Sequence, residues 1–325
     1  MGTTTVETTG ARDRQLPVQV WYPVDTAVAA TAEPATYDFP GIEVPAGAVT
    51  GASPAPGPFP LVIYSHGNGG LRYVSSFLAE HMASHGFVVM APDHVGNTAL
   101  DTFLGSRDET DQVAEDRPVD VQAVIDAATS GQPGLEEVSP VVDGEEVAVI
   151  GHSFGGYTAL ALASRQAEGD DSLDAIVGLA PASSGVDDTT LEAVGVPTLL
   201  ISGTLDETTP IEEDTLRPAE LVSGRPLVRA DIDGAGHQSF TDVCDYLGIA
   251  ESQPDLPAAL VEALQEYALE GCAPELIVID EAQRITNRLV TAFLLETLYA
   301  DDSWSPLLSP GAEEGQPLAL LERED

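Results

Sequence analysis

The sequence contains no lysine and only 12 arginines, against 54 aspartates and glutamates, so its formal net charge is −42. Because phosphate binding needs clustered positive charge, we do not expect this chain to bind nucleic acid. An anionic membrane surface would repel it as well. The acidic excess either keeps the chain soluble, notably in a salty habitat where salt screens self-repulsion, or forms a face that repels acidic products or attracts cations. No localised motif favours the second interpretation.

The sequence also lacks a long apolar run and an apparent metal motif. No stretch of about 18 apolar residues occurs, so no membrane-spanning helix is predicted. The acidic run DETDQVAED at residues 108–116 lacks the central glycine and terminal glutamate of an EF-hand, which predicts a solvated loop and no metal site. The start, MGTTTVETTGARDRQ, is not a signal peptide, so the chain is either a trimmed secreted protein, which we favour slightly, or an intact cytoplasmic one.

Cysteine is scarce too, with only Cys244 and Cys272 present, on either side of a helical pattern. The sequence leaves open whether they form a disulfide. If they do, closing a loop of this size stabilises the fold by roughly 3 kcal/mol and favours an extracellular location.

Short apolar runs rich in β-branched residues recur along the chain, separated by helical patterns. Near-continuous apolar strands of this kind are typical of a sheet that is buried on both faces and mostly parallel. The predicted fold class is therefore α/β, with helices on both faces and a small helical insertion after the last strand. The runs are LPVQVWYP, PLVIYSHG, FVVMAPDH, VAVIGHS, LDAIVGLAP, PTLLISGTLD and LVRADIDGAGH.

The chain is predicted to form one domain over residues 1–302, with a loosely ordered tail over 303–325. Residues 24–60 are rich in Ala, Pro and Gly and predict an irregular excursion that could contain a hairpin, and residues 250–276 predict a helical cap. Helices are expected at residues 73–84, 118–129, 157–166 and 281–299.

The stretch Gly151-His152-Ser153-Phe154-Gly155 fits G-x-S-x-G between a predicted strand and a predicted helix. Glycines permit the sharp strand-to-helix turn that exposes a serine hydroxyl, because a Cβ there would collide with neighbouring backbone. The pattern predicts Ser153 as a nucleophile, against the alternative of a merely structural turn.

A serine hydroxyl needs a base and an orienting acid, which follow the serine in the chain order of this motif. Only one histidine, His237, lies beyond Ser153, and it is predicted as the base. Asp206 follows the run PTLLISG at the sheet edge where catalytic groups gather, and is predicted as the acid. The competing acids are Asp231 and Asp233, which lie too near His237, and Asp187, in the loop that follows LAPASSG.

A tetrahedral oxyanion needs preformed backbone donors. The N–H groups of Phe154 and of Asn68, in the loop SHGNGG, are predicted to supply them. Four residues are predicted to contact substrate: Asn68, His152, Phe154 and Ala182. His66 is expected to brace the loop by a hydrogen bond, and Asp93 and His94 to shape the loop beside the pocket.

These motifs together resemble the platelet-activating-factor acetylhydrolase and dienelactone-hydrolase-like branch of the α/β-hydrolase superfamily. The matching pieces, in family order over residues 14–243, are LPVQVWYP, PLVIYSHGNGG, MASHGFVV, APDHVGNT, RPVDVQAVID, GHSFGGYT and GHQSFTD. The resemblance implies a Ser-His-Asp hydrolase of carboxylic esters that needs no metal or other cofactor. It places Ser153 and His237 on the family's nucleophile and base, and Asn68 and Phe154 on its oxyanion donors.

The sequence departs from this pattern in places. Animal acetylhydrolases carry the acid after the strand that reads LDAIVGLAP here, where this chain has Ala180 and Pro181, whereas Asp206 is the acid position of bacterial relatives. Dienelactone hydrolases use a cysteine nucleophile, so their activity is not carried over. The sequence is also similar to bacterial polyester hydrolases and cutinases, but it has Phe154 and Ala182 where those typically have Met and Trp.

The predicted function is that of a serine esterase for short- to medium-chain acyl esters. Its substrate is expected to be a small-molecule or polymeric ester, and a monomer is favoured. The alternatives are a polyester hydrolase or lipase, a hydrolase of amides or thioesters, and a non-catalytic protein of the same fold.

Overall fold

The computed structural model describes residues 1–39, 42–165 and 172–325. Each of the seven apolar runs forms a strand, and the described residues build an 11-stranded sheet. The predicted α/β class is confirmed. The strands are β1 (Gly2–Thr9), β2 (Gln15–Tyr22), β3 (Glu33–Phe39), β4 (Ile42–Thr50), β5 (Phe59–Ser65), β6 (Val88–Pro92), β7 (Val142–His152), β8 (Ala175–Leu179), β9 (Thr198–Gly203), β10 (Leu227–Ile232) and β11 (Leu318–Glu324).

The middle of the sheet is parallel and its margins are largely antiparallel. The strand order is β11-β10-β9-β8-β7-β5-β6-β2-β1-β4-β3. Strands β5 to β10 run parallel to one another, so their carboxyl ends lie along one edge. That edge is where side chains that follow different strands can meet.

Helices cover both faces of the sheet, as the apolar runs predict. On one face α2 and α10 pack around Met82, Leu289 and Phe293, and on the other α4 and α5 pack around Val124 and Leu160. No helix in the described ranges is long and apolar enough to cross a membrane. The helices are α1 (Thr26–Ala29), α2 (Ser76–Ser84), α3 (Ala99–Leu104), α4 (Thr110–Ser130), α5 (Phe154–Ala163), α6 (Asp188–Glu192), α7 (Arg217–Leu221), α8 (Val243–Glu251), α9 (Ala258–Cys272) and α10 (Ile279–Leu298).

Two segments are more regular than the sequence predicts. Within residues 24–60 the hairpin that the sequence allows is present, since β3 and β4 pair as antiparallel strands, and it extends the sheet at one edge. The tail, predicted as loosely ordered, contains β11, which pairs antiparallel with β10. Leu318 and Leu321 of β11 are buried on either side of a shift in register, so the leucines of LALLERE outweigh the Pro, Gly and Glu content on which the prediction rested. The helical insertion therefore follows β10 and precedes the last strand.

The remaining differences concern helix boundaries. Helix α4 begins eight residues before the predicted start at residue 118 and contains Pro118. Residues 110–116, predicted as part of a solvated loop, form its first turns, and Asp116 is buried in an ion pair with Arg14 at 2.9 Å. The predicted helix 157–166 begins instead at Phe154, and its expected end at residue 166 lies outside the described residues.

The predicted cap at residues 250–276 contains α9, which is tied to α8 by a disulfide between Cys244 and Cys272. The question that the sequence leaves open is thereby decided in favour of the crosslink.

Candidate active site

Ser153 lies between the end of β7 and the start of α5, in a backbone conformation with φ 56° and ψ −118°. A positive φ is costly for a residue with a Cβ and persists only where the surroundings enforce it. The flanking glycines show how tight the turn is: a Cβ on Gly151 would lie 2.0 Å from the Gly155 carbonyl oxygen, and one on Gly155 would lie 1.9 Å from that of Ser65. The turn holds the Ser153 side chain at the sheet edge, with the residue 8% exposed.

The three side chains predicted as nucleophile, base and acid form one hydrogen-bonded chain. His237 Nε2 lies 2.9 Å from Ser153 Oγ, and His237 Nδ1 lies 2.8 Å from Asp206 Oδ2. They follow β7, β9 and β10, whose carboxyl ends lie on the same edge of the sheet. The competing acids are elsewhere: Asp231 pairs with Arg229, and Asp187 caps α6.

The Asp206 carboxylate accepts several hydrogen bonds. Oδ1 accepts from the backbone N–H groups of Thr208 (2.9 Å) and Thr209 (2.8 Å), and Oδ2 accepts from the Thr209 hydroxyl (2.7 Å). Burial raises the pKa of Asp206, but the hydrogen bonds from His237 and Thr209 outweigh it and leave that pKa below its ordinary value. The group is therefore an anion at neutral pH, oriented so that it fixes the proton on His237 Nδ1.

Two backbone N–H groups in this region have no hydrogen-bond partner in the described part of the chain: those of Phe154, which follows Ser153 at the first position of α5, and of Asn68. The predicted brace is present, because His66 Nδ1 donates to the Gly67 carbonyl (2.7 Å) and His66 Nε2 accepts from the backbone of His94 (3.1 Å). Gly67 allows the loop that carries Asn68 to lie close to Ser153, since a Cβ on Gly67 would come within 3.2 Å of Ser153 Cβ.

Two predicted substrate contacts have different surroundings. His152 is 1% exposed and its Nε2 donates to the His237 carbonyl at 2.9 Å, so it supports the backbone of the histidine loop instead of facing a substrate. Burial lowers the pKa of His152 to about 3, which keeps it neutral. Ala182 is partly exposed and its N–H donates to the Ser153 carbonyl (2.9 Å), which places it beside Ser153.

Asp93 and His94, predicted to shape the loop beside the pocket, are both held by hydrogen bonds. Asp93 accepts from the backbone N–H of Arg72 (2.7 Å) and pairs with its guanidinium. His94 bridges Ser65 Oγ (2.9 Å) and the buried Asp120 (3.0 Å).

Sequence reasoning missed two buried residues at this site. Thr209 contacts both the acid and His237 Nδ1, at 3.1 Å from the latter. Its position three residues after Asp206, in a turn of the type that Asp initiates, could have indicated the contact. Arg117, on α4, contacts the Asn68 loop and the Phe154 ring. Arg117 begins the piece RPVDVQAVID that carries part of the family resemblance, but the helical pattern of α4 alone does not distinguish it from a solvated arginine.

A mostly apolar cavity of about 320 Å³ opens next to Asn68. It lies between the Asn68 loop, α3 and α9, and its lining includes Leu71, Phe103, Leu264 and Tyr267. The cap therefore forms one wall of a pocket that adjoins the Asn68 loop, whereas Ser153 and His237 are not among the residues that line it.

The last turn of α9 also packs on the loop that carries His237. A Cβ on Gly271 would lie 2.9 Å from Gln238 Cβ, and one on Gly236 would lie 2.4 Å from the Glu270 carbonyl oxygen. The Glu270 carboxylate accepts a hydrogen bond from the Thr208 hydroxyl at 2.7 Å. The cap thus contacts both the loop that carries His237 and the loop that carries Asp206.

Comparison with known proteins gives relatives named for ester hydrolysis. A chlorophyllase family model matches residues 41–200. The chain is 27% identical over 258 residues to chlorophyllase-1, chloroplastic, of Citrus sinensis, which covers 75% of this chain and 70% of that protein. It is 26% identical over 139 residues to platelet-activating factor acetylhydrolase of Bos taurus, and 32% identical over 178 residues to cutinase 1 of Thermobifida cellulosilytica.

The last two alignments span only 31% and 59% of those relatives' own length. Among solved structures, a ferulic acid esterase from Streptomyces cinnamoneus superposes with a TM-score of 0.71 at 27% identity, over 98% of this chain and 95% of that one. The predicted resemblance to acetylhydrolases and cutinases is confirmed. The similarity to chlorophyllases was not predicted.

Proposed function

We propose that this chain, which has the α/β-hydrolase fold and is related to esterases, is a serine hydrolase that cleaves carboxylic esters through an acyl-enzyme. The observation that carries the proposal is the continuous hydrogen-bonded chain from Ser153 through His237 to Asp206, with distances of 2.9 and 2.8 Å. That arrangement supplies a nucleophile, a base within reach of its proton and an anion that orients the base.

In the acylation step, Ser153 Oγ attacks the ester carbonyl carbon while His237 Nε2 takes the hydroxyl proton. Asp206 keeps the other ring nitrogen protonated and stabilises the imidazolium that forms. The carbonyl oxygen becomes an oxyanion, which accepts hydrogen bonds from the N–H groups of Asn68 and Phe154. The ester C–O bond then breaks and His237 gives its proton to the leaving alcohol. Water attacks the acyl-enzyme by the same route, and the acid product leaves.

The apolar cavity beside Asn68 supports an ester with an apolar group of limited length, in the short- to medium-chain range. A second candidate is cutinase-like cleavage of polyesters, which the similarity to cutinase 1 of Thermobifida cellulosilytica favours. Helix α9 over the cavity and the small side chain of Ala182 argue for the first candidate, because a polymer chain needs an open groove and an aromatic platform would stack on aromatic polyester units.

The test is hydrolysis of p-nitrophenyl esters from acetate to palmitate, with purified wild type beside Ser153→Ala. We expect wild-type activity to peak at short or medium chains and the variant to lose it by about 10⁴-fold or more, with an unchanged melting temperature. A purified variant that keeps a measurable share of wild-type turnover would refute the assignment of Ser153. Undiminished activity on palmitate would move the polyester or lipase function to the front.

A further inference from the structure

Arg117 is a fully buried cation without a carboxylate partner. Its exposure is 0%, and no acidic oxygen among the described residues lies within ion-pair distance of it. Burial lowers the pKa of Arg117 to about 9, which leaves it charged at neutral pH. The buried Asp120 on the same helix raises this pKa from beyond ion-pair distance. Because a buried charge without a direct ion pair costs stability, a role of Arg117 in the active site would explain its place in the fold.

The contacts of Arg117 converge on the loop that carries Asn68. The guanidinium donates to the carbonyl oxygens of His66 and Gly67, the latter at 3.0 Å, and to Asn97 Oδ1 at 2.6 Å. Asn97 in turn donates from Nδ2 to Asn68 Oδ1 at 2.8 Å. Asn68 is therefore held at its side chain through Asn97, and also by Arg107, whose guanidinium donates to the same oxygen. At its backbone it is held through the preceding carbonyl.

The backbone contact determines where the Asn68 N–H points. The Gly67 carbonyl and the Asn68 N–H belong to the same planar trans peptide, so they point in opposite directions. A donor on the carbonyl side fixes the N–H toward the other side, and a positive charge there polarises the peptide so that its N–H is a stronger donor. His66 Nδ1 and the Gly70 N–H also donate to this carbonyl, at 2.7 and 3.1 Å, but neither carries a charge, because burial lowers the pKa of His66 well below its usual range.

The same guanidinium reaches the second oxyanion donor. Its central carbon lies 5.0 Å from the centre of the Phe154 ring, a cation–π distance, and that ring stacks on Tyr157 with centres 5.0 Å apart. One buried cation thus contacts the Phe154 ring and the carbonyl of the peptide that carries the Asn68 N–H.

We propose that Arg117 is the positioning residue of the oxyanion hole: it fixes and polarises the Gly67–Asn68 peptide, anchors Asn68 through Asn97, and places a positive charge behind the developing oxyanion. This inference rests on the proposed esterase function. It assigns Arg117 no contact with substrate, so its effect is on the transition state and not on substrate binding.

The test compares Arg117→Met, which removes charge and donors at similar volume, with Arg117→Lys, which keeps the charge. Each is measured for kcat and KM on p-nitrophenyl butyrate and for inhibition by a trifluoromethyl ketone. Ser153 adds to that ketone's carbonyl carbon and passes its proton to His237, which leaves an oxyanion in the same hole. Arg323→Met is the matched control, because Arg323 is an ion-paired, largely buried arginine bonded to Glu296 on α10.

We expect Arg117→Met to lower kcat by about 10- to 100-fold, a part of the 10²- to 10³-fold loss that follows complete removal of one oxyanion donor. KM should change by less than about 3-fold, and the inhibition constant of the ketone should rise by the same factor as kcat falls. Arg117→Lys should lie between wild type and Arg117→Met on both measures. Arg323→Met should lower the melting temperature without changing kcat.

The inference is overturned if kcat falls only in proportion to the folded fraction, or if ketone binding is unchanged while kcat falls. If Arg117→Met does not fold, Arg117→Lys carries the same test through the parallel change in kcat and ketone inhibition. Absence of ester hydrolysis by wild type would instead refute the proposed function, so the two failures are distinguishable.

Discussion

Replacing Cys244 and Cys272 together by serine tests whether the disulfide holds the cap on the loops of the base and the acid. Helix α9 buries few of its own residues, namely Leu264, Ala268 and Gly271. Its last turn nevertheless fits closely against Gln238. The crosslink at the end of α9 therefore supplies much of what keeps that turn in place.

The magnitude follows from the length of the closed loop. The two cysteines are 28 residues apart, for which the loop-entropy relation gives a stabilisation of about 3.5 kcal/mol. We expect the double variant to lose up to that amount of unfolding free energy. Opening of α9 should become up to a few hundred-fold more frequent, since about 1.4 kcal/mol is a factor of ten in an equilibrium constant.

The assay combines urea unfolding with hydrogen exchange of the α9 amides and of residues 236–238. Wild type reduced by a phosphine under the same conditions should match the variant, which separates loss of the crosslink from any effect of serine. A change in unfolding free energy below about 1 kcal/mol, together with unchanged exchange in α9, would refute the reasoning, because it would show that packing alone holds the cap.

Two further substitutions probe the same region. Gly271→Ala places a Cβ 2.9 Å from Gln238 Cβ, so we expect it to move the loop that carries His237 and to lower kcat. The control is Gly248→Ala in α8, where a Cβ has nothing within 4 Å; it should raise the unfolding free energy by about 0.5 to 1 kcal/mol at unchanged kcat. Equal kcat in the two variants would contradict the close fit at Gly271. Burial raises the pKa of Asp242 to about 7, so between about pH 4 and 7 the folded state binds a proton that the unfolded state has released, and this group's contribution to stability falls as pH rises. The unfolding free energy of Asp242→Asn should therefore exceed that of wild type at pH 8, by at most about 4 kcal/mol for the three-unit shift, and the difference should shrink toward pH 4. A difference in unfolding free energy that does not vary with pH would show that the charge is not the cause.

The parts of the fold that the sequence predicts are those whose signal is local. The run VAVIGH of β7 is apolar without interruption because both faces of a central parallel strand are covered, and the glycines around Ser153 are required within five residues of it. His237 was predictable by elimination, since it is the only histidine beyond Ser153. The predicted pairing of Asp206 with His237 joins residues 31 positions apart, yet the chain order of the motif was enough to indicate it.

The parts that could not be predicted depend on tertiary contacts. Strand β11 pairs with β10 across about 90 intervening residues, and its composition alone resembles a tail. His152 lies next to the nucleophile in sequence, but the strand directs its side chain beneath the histidine loop. Arg117 lies on a helix whose charged residues are ordinarily solvated, and only the packing of α4 against the Asn68 loop brings it into the core.

An ester hydrolase must stabilise negative charge on its substrate in the transition state, which is difficult in a chain of net charge −42. The packing of α4 against the Asn68 loop offsets this difficulty. Most of the acidic groups are exposed, and salt screens such charges beyond a Debye length of about 8 to 10 Å. Groups inside the protein are screened much less, so a single cation buried behind the Asn68 loop outweighs many carboxylates on the surface. At the proposed oxyanion site Arg117 and the two backbone N–H groups therefore oppose the negative charge of buried carboxylates such as Asp206, and the exposed acidic groups have the smaller effect.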